Sequence, residues 1–255
     1  MAAGVQEEQV EGAAGILLCG GRSRRMGQPK EWLDFGGVPL LVHMLRSLRE
    51  VVREVVVVAA PEQSLPPLPP EVGQSVRLVR DPQPYPGPLV GLLTGWRALP
   101  PTVDAALVLA VDMPGVPPVL LRQLLRWLED EPAVEAVVPY LGERWQPLLA
   151  AYRRRCLPVL HALVEGGSRR LQDLPAALKV RPVSLDQLRA LDPSDRCLAN
   201  LNTPADYAAA LAAWNPSATA QRTEAPSATA QPTETLVGAA QPTETLVGAA
   251  QPTEV

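Results

Sequence analysis

Short unbroken apolar runs alternate along this chain with stretches whose apolar residues recur every three or four positions. The runs read as strands buried on both faces, and the periodic stretches read as helices covering them. Gly15–Leu18 predicts a first strand, and Glu54–Ala59 (EVVVVA) a second, β-branched and bounded by Pro61. Ser75–Val79 predicts a short strand ending at Asp81, and Ala105–Val111 a long one ending at Asp112. Helices are predicted over Pro39–Glu50, Pro88–Leu99, Pro117–Leu128, Leu157–Glu165 and Pro204–Trp214. Proline suits the first turn of several of these, Gly166-Gly167 stops the fourth, and Thr203 caps the last. The Pro-rich stretch 61–70 reads as a connection in place of a helix. Glu135–Pro139 and Gln146–Tyr152 read as strands paired across a turn at Gly142, and Ala177–Val183 and Cys197–Leu201 as weaker strands. Strands alternating with helices predict an α/β fold of three layers with a mostly parallel sheet.

Composition sets the limits of that domain. From Ser217 the chain repeats with a period of ten (SATAQRTEAP, SATAQPTETL, VGAAQPTETL, VGAAQPTEV) and carries almost no bulky side chains. Such a segment buries too little apolar surface to offset its conformational entropy, so 215–255 reads as a low-complexity tail without order. Residues 1–12 read as a flexible N-terminus, leaving 13–214 as one domain large enough for a full core. Net charge is −4, of which the tail from Pro216 carries −3. The domain is therefore near neutral, and nothing suggests nucleic-acid binding. No apolar run is long enough to span a bilayer, and the acidic start (MAAGVQEEQVEGAA) lacks the basic and apolar regions of a signal peptide. Cys19, Cys156 and Cys197 lie far apart and make neither a disulfide framework nor a zinc site. These features together predict a cytoplasmic protein with no membrane contact.

Candidate chemistry begins where the first strand ends. Leu18-Cys19-Gly20-Gly21 is followed by Arg22, Arg24 and Arg25, then Met26-Gly27 and Lys30. A strand running into a glycine turn presents bare backbone N–H groups at a sheet edge, and cations around it complete a polyphosphate pocket. The spacing fits neither the ATPase phosphate loop nor the dinucleotide fingerprint. Asp112 follows an apolar strand directly, so its carboxylate reaches the rim of the sheet. There it either caps the turn at Met113-Pro114 or holds Mg²⁺, which takes one or two carboxylates together with phosphate oxygens and water. Asp81 likewise either forms the turn before Pro82 or meets a ligand. His43 and His161 lie inside helices and read as packed or surface residues, and no nucleophilic triad can be assembled. Trp32, Trp96 and Trp127 fit amphipathic or core positions, whereas Trp145 is either a packing residue or the lining of a ligand site.

The ordered pattern L-x-G-G-x-S-x-R-M-G-x-x-K (Leu18 to Lys30) resembles the opening signature of the molybdenum cofactor guanylyltransferases. The similarity continues through Tyr85-Pro86-Gly87-Pro88-Leu89-Val90-Gly91-Leu92, Ala110-Val111-Asp112-Met113-Pro114, Gln146-Pro147-Leu148 and Asn200-Leu201-Asn202-Thr203-Pro204. It covers about 13–214 in the family's order. The resemblance implies a Rossmann-like nucleotidyltransferase domain that joins GMP from GTP to the terminal phosphate of molybdopterin and releases pyrophosphate. GTP and molybdopterin would be the substrates and Mg²⁺ the cofactor, with molybdoenzymes or their chaperones as further partners. It implies Lys30, Arg25 and Asp112 as catalytic residues, Asp112 as the metal ligand, and Leu18, Cys19, Gly20, Gly21, Lys30, Asp81, Gly87 and Asp112 as the nucleotide site. Asp81 would lie near the guanosine part. Asn200, Asn202, Gln146 and Arg170 would meet the acceptor, the two asparagines pointing to one face of a short strand. From the residues alone, 87–91 is equally a plain helix start, and Arg169-Arg170 an exposed basic turn. In the enzymes it resembles, guanine users carry Gly-Gly at this place and cytidine or sugar-linked relatives often Ala-Gly, so the resemblance of Gly20-Gly21 implies guanine; leaving out a methyl group lets a purine come closer to the backbone.

The chain also departs from the family pattern. The asparagine the family often has at the end of the second long strand is replaced by Ala59-Ala60-Pro61, so its contact is either missing or made by backbone. Cys19 stands where a small residue is usual, and the repeat tail is no family feature. Two rival readings remain open. One is a relative that uses CTP or a sugar-phosphate acceptor. The other is a non-catalytic nucleotide-binding adaptor, whose mark would be loss of Asp112 or Lys30, and both are present.

Overall fold

The computed structural model describes residues 9–20, 26–84 and 87–214. The expectations placed on 1–8, Gly21 to Arg25, Tyr85-Pro86 and 215–255 lie outside them. In chain order the elements are β1 (Ala13–Leu18), α1 (Leu40–Arg49), β2 (Glu54–Ala59), α2 (Pro70–Gly73), β3 (Val76–Arg80), α3 (Pro88–Ala98), β4 (Ala105–Ala110) and α4 (Pro118–Asp130). There follow β5 (Ala136–Leu141), β6 (Arg144–Trp145), β7 (Leu149–Arg153), α5 (Leu157–Glu165), α6 (Asp173–Ala176), β8 (Val180–Val183), α7 (Leu185–Arg189) and α8 (Pro204–Ala213). Among the described residues no helix is long and apolar enough to cross a membrane.

The sheet runs in the order β3-β2-β1-β4-β7-β5, with the two-residue β6 on the end of β5 and β8 on the opposite edge of β5. β1, β2, β3 and β4 are mutually parallel, and β7 is antiparallel to β4 and β5. The apolar runs are unbroken because the sheet is covered on both sides. Leu17, Val57 and Leu109 face α1 and α4 in one core layer, while Ile16, Val58 and Val108 face α3 and α5 in the other. Trp96 fills the second layer fully buried, with the Arg154 guanidinium over its ring. This is the three-layer, mostly parallel α/β architecture that the apolar pattern predicts.

Local signals account for several helix ends. Gly167 takes a left-handed φ of 81° just past α5, and Thr203 caps α8 through a reciprocal pair of bonds with Asp206. The β2–β3 crossing consists of an extended proline-rich segment and the single turn α2.

Three expectations need correction. Cys197–Leu201 is not a strand: Arg196–Leu198 forms a 3₁₀ turn, entered through Asp195 at a left-handed φ of 54°. The buried Asp192 carboxylate takes the Cys197 N–H at 2.7 Å, a side-chain acceptor that competes with any ladder. Gln146–Tyr152 is split, because Pro147 offers no N–H and Gln146 to Leu149 closes a tight turn between β6 and β7. The strand expected over Ala177–Val183 begins only at Val180, and α6 and α7 were not foreseen, being too short to show a period. Of the amphipathic and core positions that fit Trp32, the structure gives the partly exposed one: it is 44% exposed, with its indole N–H bonded to the Ser64 carbonyl at 3.1 Å.

Candidate functional site

β1, β3 and β4 end at one edge of the sheet, and β7, running the other way, begins there. Four connections therefore converge on that edge, where ligands of open α/β sheets bind. They enclose a cleft of about 810 Å³ lined by Leu18, Cys19, Gly20, Lys30, Asp81, Gly87, Asp112, Gln146, Arg170 and Asn200 among others. Every expected site residue within the described residues lines this cleft except Asn202, which touches it through Lys30. Gly21 and Arg25, with the rest of the loop's basic flank, lie outside the described residues.

At the centre, Lys30 Nζ donates to Asp112 Oδ2 at 2.7 Å and to Asn202 Oδ1 at 3.2 Å. Lys30 comes from a 3₁₀ turn (Lys30–Trp32), and Asp112 from just past β4. Both side chains are mostly buried, 16% and 22% exposed, so the pair interacts with little solvent screening. The Leu201 N–H donates to the Asp112 carbonyl at 2.9 Å. That main-chain bond, rather than strand alternation, brings the Asn200–Asn202 segment to Asp112. Gly115 tightens the same junction. A methyl group built on it falls on the Arg196 carbonyl oxygen and 2.8 Å from the Arg196 Cβ.

Asp81 stands two strands beyond β1. Its N–H donates to the Ala59 carbonyl at 2.8 Å, which extends the β2–β3 ladder by one residue and fixes the carboxylate at the sheet edge. The side chain is buried, and Oδ1 has no hydrogen-bond partner. Burial raises its pKa above the usual carboxylate value, with the Thr94 hydroxyl partly opposing the shift. Gly20 and Gly91 flank it, and methyl groups there would come into van der Waals contact with its oxygens, 3.6 and 3.7 Å away.

Two residues at the cleft were not foreseen, Glu31, which lines it, and Gln63, which supports that lining. Glu31 is almost fully buried and accepts from Gln63 Nε2 at 2.7 Å. The same nitrogen donates to the Cys19 carbonyl at 3.0 Å, and Gln63 Oε1 accepts the Ala60 N–H at 2.9 Å. Arg80 in turn donates to the carbonyls of Ala60 and Gln63. Gln63 thus occupies the space beside the end of β2 where the sequence offers no asparagine, and it holds the backbone where the glycine loop starts. No spacing rule singles out a glutamine in an irregular connection, so the sequence carries no signal for it. Burial pushes the Cys19 thiol up, with Glu31 adding to the effect, so it stays neutral and packed as expected.

The far wall comes from β6 and the 168–172 segment. Gln172 bonds both polar groups of the Trp145 backbone, accepting its N–H at 3.2 Å and donating to its carbonyl at 2.8 Å. Arg144 and Arg169 line this wall beside Gln146 and Arg170. Gly87, at a left-handed φ of 99°, lets the chain before α3 pass close to Arg169; a methyl group there would sit 3.3 Å from the Arg169 carbonyl. Of the two histidines, His43 is buried in α1 and bonds the Pro114 carbonyl at 3.0 Å, and His161 pairs with Glu165. Neither lines the cleft.

The domain family described as "MobA-like NTP transferase domain" matches residues 15–191. A probable molybdenum cofactor guanylyltransferase from Chloroflexus aggregans is 38% identical over 197 residues, 76% of this chain and 90% of the relative. Among solved structures, molybdopterin-guanine dinucleotide biosynthesis protein A from Archaeoglobus fulgidus superposes with a TM-score of 0.64 at 23% identity, covering 78% of this chain and 97% of the other. A Mycobacterium tuberculosis protein described as a complex with manganese superposes at 0.50 and 16% identity, covering 79% and 99%.

Proposed function

We propose, from the premise that this chain belongs to the MobA-like NTP transferase family, that it transfers GMP from GTP to the terminal phosphate of molybdopterin and releases pyrophosphate. The observation that carries the choice of nucleotide is Asp81, a buried carboxylate facing the cleft with an unpartnered oxygen. Guanine presents two N–H donors side by side on one edge, and an ionised carboxylate accepts both. Cytosine and adenine offer a donor next to an acceptor at that edge and leave one carboxylate oxygen unmatched. β3 to β4 is three strand steps, about 14 Å, a span suited to a nucleoside at Asp81 with its phosphates at Gly20 and Lys30. The names of the relatives supply the acceptor.

In this reading an oxygen of the acceptor phosphate forms a bond to the α-phosphorus of GTP. The bond from that phosphorus to the β-phosphate bridge breaks, and pyrophosphate leaves with the electron pair. The attacking phosphate is already ionised, so no general base is needed. That suits a cleft without histidine. Positioning and charge neutralisation then supply most of the rate, with Lys30 and Arg25 on the phosphates and Asn200, Asn202, Gln146 and Arg170 on the acceptor. Among the described residues no group of three or more His, Cys, Asp or Glu forms a metal cage. Asp112 offers one carboxylate in the cleft, which suits a hard cation that takes its other oxygens from phosphate and water. Mg²⁺ held there would neutralise triphosphate charge.

The test is pyrophosphate release from molybdopterin and Mg²⁺ with GTP, CTP or ATP in turn. Turnover with GTP alone is expected, and turnover with CTP alone overturns the reading. Asp81 adds a pH signature. Its raised pKa means it keeps a proton at pH values where an ordinary aspartate is ionised, and guanine binding demands the ionised form. GTP affinity is therefore full above that raised pKa and lost as the pH falls through it. KM for GTP should climb on acidification before the ordinary carboxylate range is reached. Asp81→Asn should raise KM for GTP roughly ten- to a hundredfold and remove this acid limb. An unchanged limb in the variant would separate Asp81 from the base.

A further inference from the structure

We propose that Trp145 is the stacking platform for the flat pyrimidine ring of the acceptor's pterin, and so the residue that sets acceptor specificity; this rests on the molybdopterin reading above. The sheet edge orders the site. Asp81 follows β3, the glycine loop follows β1, and Asp112 follows β4. With the base at Asp81 and the reacting phosphates at Lys30 and Asp112, the acceptor's remaining atoms extend past β4, over the start of β7 and the end of β5. That is two further strand steps, about 10 Å, the scale of a fused ring system beyond its phosphate. The flat apolar side chain at that place is Trp145, which lines the cleft.

The platform is rigid. β5 and β6 are joined by Gly142 and Glu143, both at positive φ (50° and 66°), the two-residue turn that fixes hairpin register. The register pairs Tyr140 with Trp145, and their rings meet at a centroid distance of 4.6 Å. Gln172 fixes the Trp145 backbone from the other side through both of its polar groups. An indole held this way stacks on a heteroaromatic ring with little further loss of freedom. Arg144 and Arg170, lining the same wall, suit the acceptor's negative charge.

The test compares Trp145→Ala, Trp145→Leu and Trp145→Phe in steady-state turnover and in calorimetric titration with molybdopterin alone. Alanine and leucine should each raise KM and Kd for molybdopterin roughly ten- to a hundredfold, while KM for GTP stays within about twofold. Phenylalanine should recover most of the loss. Leucine keeps the apolar volume without the flat face, so it separates stacking from packing. Unchanged molybdopterin affinity in the leucine variant, or an equal rise in both KM values, overturns the proposal. Wild-type turnover with unaltered Trp145→Leu kinetics would remove the platform and leave the guanylyltransferase reading standing. Wild-type binding of molybdopterin that Trp145→Leu abolishes, without any pyrophosphate release, would do the reverse.

Discussion

Replacing Asp112 by alanine is expected to lower pyrophosphate release from GTP and molybdopterin by about a thousandfold or more, with the fold retained. The size follows from its position. Asp112 is the carboxylate that the sheet brings into contact with Lys30 at the middle of the cleft, 2.7 Å away. In a transfer that needs no protein nucleophile or base, charge placed at the phosphates carries most of the barrier lowering, several kcal/mol. The fold should survive because β4 is held by β1 and β7 and its apolar residues lie upstream of Asp112. Lys30 also keeps its bond to Asn202. Circular dichroism melting and a pyrophosphate assay on the same preparation check both halves. Full activity in the variant would remove Asp112 from the site, and a collapsed fold would show that its part is structural.

The second large effect is expected at Gly115, far less conspicuous in the sequence. Gly115→Ala pushes a methyl group onto the Arg196 carbonyl oxygen, a backbone atom that cannot rotate away. One of the two segments must shift. Overpacking of this kind costs about 3 kcal/mol at the upper end of its range. In a domain of this size that lowers the melting temperature by roughly 10 °C. The functional cost should exceed what stability alone gives. The 196–202 segment carries Asn200 and Asn202 and is bonded to Asp112 through the Leu201 N–H. A displacement near 1 Å there is expected to reduce kcat about a hundredfold, even at temperatures where the variant is folded. A variant with normal kcat and a lowered melting point would show that the junction matters only for stability.

What could be read beforehand divides by physical cause. β1, β2 and β4 were legible because burial on both faces forces an unbroken apolar run, as in EVVVVA. α1 and α4 were legible from leucines repeating on one face. Asp112 could be placed because it directly follows such a strand, and Asp81 because it follows a shorter one, and the structure brings both into one cleft with Gly20, Lys30 and Asn200. The 196–202 segment was misread because Cys197 and Leu201 are apolar for core packing, while a single buried carboxylate, Asp192, decides the backbone there. Gln63 was invisible for a related reason. Its place is set by three hydrogen bonds to residues distant in sequence or in an irregular turn, and such contacts leave no period. Gly115 shows the same limit, since its neighbour lies some eighty positions downstream.

β7 runs against its neighbours, and that has a consequence for how such an enzyme can change. The wall up to Asp112 is assembled from segments that leave strands, whereas the wall past Asp112 is assembled from the hairpin that feeds into one. The two walls therefore draw on largely separate stretches of chain, roughly 18–112 and 140–172, joined by the β4–β7 ladder and by the close approach of Gly87 to Arg169. On the assignment proposed above, changing the hairpin would alter the acceptor wall while leaving in place the residues proposed for the nucleotide. On that assignment, a single reversed strand lets the two selectivities vary through largely different residues.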